Sequence, residues 1–152
     1  MHTLDRVRQS VNATTARAER SRIGQFLTPV AIANFMASMF DDAACNVRIL
    51  DPGAGAGVLF ASCVEQMLAS EHPPKSIEVV AYETDSVVLP HLRKTMNSCR
   101  AMAISKGVDF HGTIKSDDYI MDAISAARGS LYEEQVKPFT HVIMNPPYKK
   151  LE

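Results

Sequence analysis

Val47-Arg48-Ile49-Leu50-Asp51-Pro52-Gly53-Ala54-Gly55-Ala56-Gly57 (residues 47–57) holds a strand, a turn and the start of a helix. Val47 to Leu50 is a short β run, and Asp51-Pro52-Gly53 ends it. A helix is expected from about Gly57 to Ser70. Gly and Ala let the backbone pass close to a ligand, and the helix that follows presents free N–H groups at its start. The glycines alternate and an acid precedes them, so this is not the G-x-G-x-x-G dinucleotide fingerprint. Asp51 suits an amine or a hydrogen-bond network around a ligand rather than a phosphate, which it would repel. A tight strand–helix turn without a ligand is the plain alternative, and three alternating glycines after a strand weigh against it.

Outward from this stretch, strands and helices alternate. Leu4, Val7 and Val11 predict a helix over residues 3–20, a basic N-terminal arm occupying residues 1–21. Thr28-Pro29 opens a second helix, with Thr28 as N-cap, Pro29 at the first helical position, and Ile32, Phe35, Met36 and Met39 as its buried face. After the helix ending near Ser70, His72-Pro73-Pro74-Lys75 is a linker and Ile77 to Tyr82 a second strand. Residues 86–105 read as a long helix that tolerates Pro90 only in its first turn. Val108 to Ile114 is a weaker third strand. Tyr119 to Ala127 is a helix broken by Gly129-Ser130, and Thr140 to Met144 a fourth strand. Such alternation implies an α/β fold with a parallel sheet, in which ligands sit at the carboxyl ends of the strands.

Every unusual cluster falls at such an end. Glu83 follows the second strand, where a carboxylate can accept both hydroxyls of a ribose; Asp85 can cap the next helix, leaving Glu83 free. Ser116-Asp117-Asp118-Tyr119 follows the third strand. There an acid beside an aromatic ring can bond an exocyclic amine and pack on a ring, or simply cap the next helix. The fourth strand runs into Asn145-Pro146-Pro147-Tyr148. An amine conjugated with a ring or carbonyl is a poor nucleophile because its lone pair is delocalised. Two acceptors aimed at its hydrogens, the Asn145 side-chain oxygen and the Pro146 carbonyl, pull the nitrogen toward tetrahedral geometry, and proline holds them in place beforehand. Tyr148 offers a face for a flat group to stack on.

Composition bounds the rest. The chain has 152 residues, 46% of them hydrophobic and 22% charged, as in an ordinary globular domain. No run approaches a membrane span, and the first residues lack a signal-peptide layout, so a cytoplasmic protein with no membrane partner is expected. Cys45, Cys63 and Cys99 have no metal or redox spacing and read as reduced, buried thiols. The net charge of -1 does not mark a nucleic-acid binder, although residues 1–22 carry five arginines against Asp5 and Glu19. That basic arm can touch phosphates or serve as a solvated helix face.

Taken together, these motifs resemble the S-adenosylmethionine-dependent DNA adenine-N6 methyltransferases of restriction–modification systems. The likeness runs over about residues 22–150. It is nearest to the subgroup in which the cofactor motif precedes the catalytic one and an N-terminal element precedes both. That element is Gly24-Gln25-Phe26-Leu27-Thr28-Pro29, which looks like the family segment closing over the methionine end of the cofactor. The resemblance implies that Gln25, Phe26 and Thr28 line the cofactor site and that Asp51, Gly53, Gly55 and Gly57 hold its methionine part. Glu83 would take its ribose, Asp118 its adenine amine, and Tyr119 would lie beside the adenine ring. Asn145, Pro146, Pro147 and Tyr148 would hold a target adenine flipped from the duplex. The implied reaction is direct displacement at the sulfonium methyl group and needs no metal.

The fold implied is a Rossmann-like, three-layer methyltransferase sheet of which residues 22–152 supply the first four strands, ordered 3-2-1-4. The family's later strands and DNA-reading region have no counterpart here, so a fragment inactive by itself is expected. Its fourth strand would be an open edge that favours a dimer, with double-stranded DNA and a specificity or restriction subunit as partners. Two rival readings use the same motifs. One is a methyltransferase acting on a protein glutamine amide or an RNA amine; Gly24 to Pro29 ahead of the cofactor motif favours DNA. The other is a cofactor-binding or subunit-docking module without activity.

Overall fold

The computed structural model describes residues 28–40, 45–128 and 137–146. The expected arm over residues 1–21, Gln25, Phe26, the break at Gly129-Ser130, Pro147 and Tyr148 lie outside them. In chain order the described elements are α1 (Val30–Ala37), β1 (Asn46–Pro52), α2 (Val58–Ala69) and β2 (Ser76–Tyr82). They continue with α3 (Leu89–Ser105), β3 (Asp109–Lys115), α4 (Tyr119–Ala127) and β4 (His141–Val142).

All strand pairs are parallel, and the sheet order is β3-β2-β1-β4, as the resemblance implied. The central strands carry apolar residues on both faces because both faces are covered. Val47, Ile49, Ile77, Val79 and Ala81 join one core with Ala33 and Ala37 of α1, Phe60 and Val64 of α2, and Leu92, Met96 and Cys99 of α3. Leu50, Val80 and Tyr82 face the other way, into a smaller cluster completed by Tyr119 and Phe139. Between them lies the sheet, so the expected three layers are present, the second helical layer being the thinner.

Several expectations need correction. The N-cap of α1 is Pro29, not Thr28, and no side chain caps this helix. Its buried residues are Ala33 and Ala37, whereas Ile32, Phe35 and Met39 are half or more exposed and Met36 is only partly covered. Two alanines one turn apart let α1 lie close against α2, and that close approach turns the larger side chains outward. The helix expected from residue 86 begins at Leu89, because Asp85 first caps a turn: its side chain accepts from Val87 N at 2.8 Å, and its carbonyl from Val88 N and Leu89 N. Pro90 does fall in the first turn. The paired part of β4 is shorter than residues 140–144. Bonds from Thr140 N to Arg48 O and from Ile143 N to Leu50 O extend it on each side. Cys63 and Cys99 are buried thiols pushed up to about 12, chiefly by burial, but Cys45 is exposed at the mouth of β1.

Among the described residues no helix is long and apolar enough to cross a membrane, and no group of three or more His, Cys, Asp or Glu side chains could hold a metal ion.

Candidate active site

The glycine turn is suspended from the end of β2. Gly53 N and Ala54 N both donate to Tyr82 O, at 2.9 and 2.8 Å. Gly55 N donates to Glu83 Oε2 at 2.8 Å, and Asp85 N to Glu83 Oε1 at 2.7 Å. Glu83 is therefore not free, contrary to the sequence expectation: each carboxylate oxygen already holds a backbone amide. Each oxygen retains further acceptor capacity, so the carboxylate can brace the turn and still receive a ligand hydroxyl.

Positive φ at Gly53 (88°), Gly55 (56°) and Gly57 (82°) bends the turn into a conformation L side chains avoid. Two of these glycines serve different ends. A Cβ at Gly57 would come within 2.5 Å of Phe60 Cε1 and 2.9 Å of Leu92 Cδ1, so this glycine lets the start of α2 pack onto α3. A Cβ at Gly53 would meet no atom within 4 Å; the space beside it belongs to a cavity rather than to the core. Gly57 is also the N-cap of α2 and offers no side-chain acceptor, so the helix opens with uncapped N–H groups.

Two cavities flank the turn and share Gly53. One, of about 250 Å³, is lined by Pro52, Gly53, Tyr82, Glu83, Thr84, Asp117, Asp118, Tyr119, Ile120, Met144 and Pro146. The other, of about 40 Å³, is lined by Thr28, Gly53, Ala54, Gly55, Ala56, Val58, Leu59 and Asn145. Eight of the residues singled out from sequence thus meet in one continuous region: Thr28, Gly53, Gly55, Glu83, Asp118, Tyr119, Asn145 and Pro146. Asp118 plays the role of a cap, its Oδ1 accepting from Ile120 N at 2.8 Å and Met121 N at 3.4 Å. Its Oδ2 takes no part in that cap.

Asn145 is positioned from the far end of the chain. Its Nδ2 donates to Thr28 Oγ1 at 3.0 Å, which is the use to which the Thr28 hydroxyl is put instead of capping α1. With the amide nitrogen so engaged, Oδ1 is the group left to accept from a substrate.

Asp51 and Gly57 do not line either cavity. Asp51 is wholly buried at the end of β1, and neither carboxylate oxygen has a hydrogen-bond partner. Burial pushes its pKa up to about 7. The Phe60 backbone N–H, in the first turn of α2, opposes this without reaching hydrogen-bond geometry, and the Glu83 carboxylate adds to the rise. The residue that sequence reasoning passed over is Tyr82, buried in the cavity wall with its ring edge-on to Tyr119, centroids 5.1 Å apart. Its position, one residue before the strand-end acid on the face opposite the main core, was a usable signal.

Residues 4–151 match the model of the N-6 DNA Methylase family. The chain is 30% identical over 148 residues to the type II methyltransferase M.PstI of Providencia stuartii, covering 97% of this chain and 28% of that protein. It is 31% identical over 156 residues to the type II methyltransferase M.BsuBI of Bacillus subtilis, covering 100% and 29%. The chain therefore spans less than a third of the length of these relatives. Among solved structures, one from Listeria monocytogenes described as a class I S-adenosylmethionine-dependent methyltransferase superposes with a TM-score of 0.55 at 16% identity, over 95% of this chain and 39% of that one. That likeness concerns the fold.

Proposed function

This chain belongs to the N-6 DNA Methylase family, and from that premise we propose that it supplies the cofactor site and the catalytic acceptors of an enzyme methylating adenine N6 in double-stranded DNA. S-Adenosylmethionine is the proposed cofactor and, when bound, supplies an electrophilic methyl group on its sulfonium sulfur. The observation that carries the reading is the Asn145 amide, its nitrogen held by Thr28 in the wall of the cavity that the glycine turn also lines, which leaves its oxygen as the unengaged acceptor.

The residues present fit such a cofactor. The uncapped start of α2 and the open space at Gly53 suit the methionine carboxylate. Asp51, buried without a partner at the end of β1 and outside both cavities, would be drawn into its ionised form by a bound positive amine. Glu83 has lone pairs left for ribose hydroxyls, and the free Asp118 Oδ2 with the Tyr119 ring suits adenine. The Asn145 Oδ1 and the Pro146 carbonyl accept the two hydrogens of the target amine. As its hydrogens are held, the nitrogen lone pair is drawn out of conjugation and becomes nucleophilic; this electrostatic help is present before the reaction begins. No strong base is required, since the proton leaves after the nitrogen has gained its methyl group and positive charge.

Double-stranded DNA is the proposed substrate partner, and the chain spans less than a third of the length of the relatives it matches. Docking to a specificity or restriction subunit, or dimerisation through the β4 edge where Val142 is exposed, is proposed on the same footing. The test is radiolabelled methyl transfer by a full-length version of the protein to duplex DNA, RNA and glutamine-containing protein in parallel. Adenine-specific incorporation into DNA is expected, with Asn145→Ala lowering turnover by a factor on the order of hundreds while cofactor binding persists. Incorporation into RNA or protein alone, or an Asn145→Ala variant of normal turnover, would overturn the reading.

A further inference from the structure

α4 and its N-cap supply Asp118, Tyr119 and Ile120, three residues of the larger cavity's wall, yet none of the helix's residues is buried. Ile120 and Met121 are more than half exposed. A short helix with no buried face has little to fix it against the sheet, since most helical stability in proteins comes from packing. Beyond the packing of the half-buried Tyr119 ring against Leu50, Val80 and Tyr82, its attachment is polar and passes through one carboxylate. Asp122 Oδ2 accepts from Tyr82 Oη at 2.9 Å and from Lys115 Nζ at 2.7 Å. Lys115 Nζ also lies 5.0 Å from the Tyr82 ring centroid, and the Tyr82 and Tyr119 rings meet edge to face. These contacts tie the last residue of β2, the last residue of β3 and the first turn of α4 at a single point. Sheet register places the first two side by side, Tyr82 opposite Lys115.

We propose that Tyr82, Asp122 and Lys115 form a latch that sets the position of α4, making Tyr82 and Asp122 positioning residues for the adenine side of the cofactor cavity. The proposal rests on reading that cavity as the S-adenosylmethionine site. The charges agree with the geometry. Lys115 and then Tyr82 hold the Asp122 carboxyl below the usual carboxylate range, and Asp122 pushes the Lys115 ammonium pKa upward. Lys115 and Asp122 are each about two-fifths exposed, so solvent and salt screen their attraction. Tyr82 is the buried partner, and the bond it donates to Asp122 is part-buried. Because Tyr82 adjoins Glu83 and its carbonyl receives the Gly53 and Ala54 amides, the latch, the ribose acid and the glycine turn share one strand end. Movement of α4 would widen the adenine side without disturbing the other side.

The test uses Tyr82→Phe, which keeps the ring contact with Tyr119 and removes only the hydroxyl, alongside Asp122→Asn. Affinity for S-adenosylhomocysteine is measured by calorimetry on this chain, and amide hydrogen exchange is followed across α2 and α4 with and without ligand. Tyr82→Phe should weaken S-adenosylhomocysteine by about three- to tenfold, the size of one net hydrogen bond, and should speed exchange in α4 with α2 unchanged. Asp122→Asn should do the same to a similar or greater degree. Parental affinity with parental α4 exchange overturns the latch. Faster exchange in α2 and α4 alike also overturns it, because the hydroxyl would then support the whole fold. A parent chain that fails to bind S-adenosylhomocysteine, with α4 still loosened by Tyr82→Phe, sinks the cofactor reading and this role with it. That outcome is distinct from a parent and a variant that bind equally.

Discussion

Thr28→Val isolates what the Thr28 hydroxyl does for Asn145. Valine matches threonine in shape, so the backbone before α1 and the wall of the smaller cavity stay filled, and only the acceptor 3.0 Å from Asn145 Nδ2 is removed. Two consequences follow. The amide loses a hydrogen bond worth about 0.5–1.5 kcal/mol net, the bond that fixes its nitrogen on Thr28 and, on the proposed reading, leaves its oxygen for the substrate. The terminal torsion of asparagine is broad and roughly two-fold, so the unrestrained amide can present nitrogen where oxygen is needed. At about 1.4 kcal/mol per tenfold in rate, the loss of orientation should slow methyl transfer by about three- to tenfold, with displacement of the acceptor adding to it. The measurement is a single-turnover rate on duplex DNA at saturating cofactor, using a full-length version of the protein, with cofactor affinity by calorimetry alongside. Thr28→Ser restores the hydroxyl and should recover most of the rate. Thr28→Val at the parental rate would refute the orienting role; Thr28→Ser as slow as Thr28→Val would assign the effect to the lost methyl group instead.

Glu83→Ala should weaken S-adenosylmethionine binding by about 1.5–3 kcal/mol and also lower the unfolding midpoint, because it strips the Gly55 and Asp85 amides of their acceptor; equal affinity by calorimetry would remove Glu83 from the site. Gly57→Ala should destabilise the chain by about 2–4 kcal/mol in urea titration, combining a positive φ with overpacking against Phe60 and Leu92. Gly53→Ala, with nothing near its Cβ, should cost only the backbone part, about 1–2 kcal/mol; equal losses at the two positions would contradict the packing argument. For Asp51 the folded pKa is raised, to about 7 from 3.8, so the native state holds a proton that the unfolded chain has released. Its contribution to stability is therefore full below about pH 4 and declines as pH rises toward 7. Asp51→Asn removes that decline and should gain on the parent between about pH 4 and pH 7, at up to about 1.4 kcal/mol per unit of the window; a stability difference independent of pH would show that Asp51 stays ionised in the fold.

Much of the architecture was legible in the sequence because local patterns decided it. The β-branched runs ending in Asp51-Pro52-Gly53 and Tyr82-Glu83 gave strands at the observed places, and their order came with the family resemblance. α1 misled because large apolar side chains at helical spacing look like a buried face, whereas this helix is docked by Ala33 and Ala37. At Asp118 the sequence left capping and ligand binding level, and the structure assigns Oδ1 to the cap. What could not be read were pairings made by the fold itself. Thr28 meets Asn145 across 117 positions of sequence, and Lys115 reaches Tyr82 and Asp122 only because of strand register.

The glycine turn has little structure of its own making. Its amides at Gly53, Ala54 and Gly55 are all received by Tyr82 and Glu83, beyond the whole length of α2 and the linker after it. In the order of folding, the turn cannot take its final shape before β2 has docked beside β1. Closing that crossover must come first, with its loop entropy spent before the amides find their acceptors. A peptide of residues 47–57 alone would lack those acceptors. The ability to grip a ligand is thus acquired late, in the same event that completes the central pair of strands, and the nascent chain has no formed grip until residue 83 is in place.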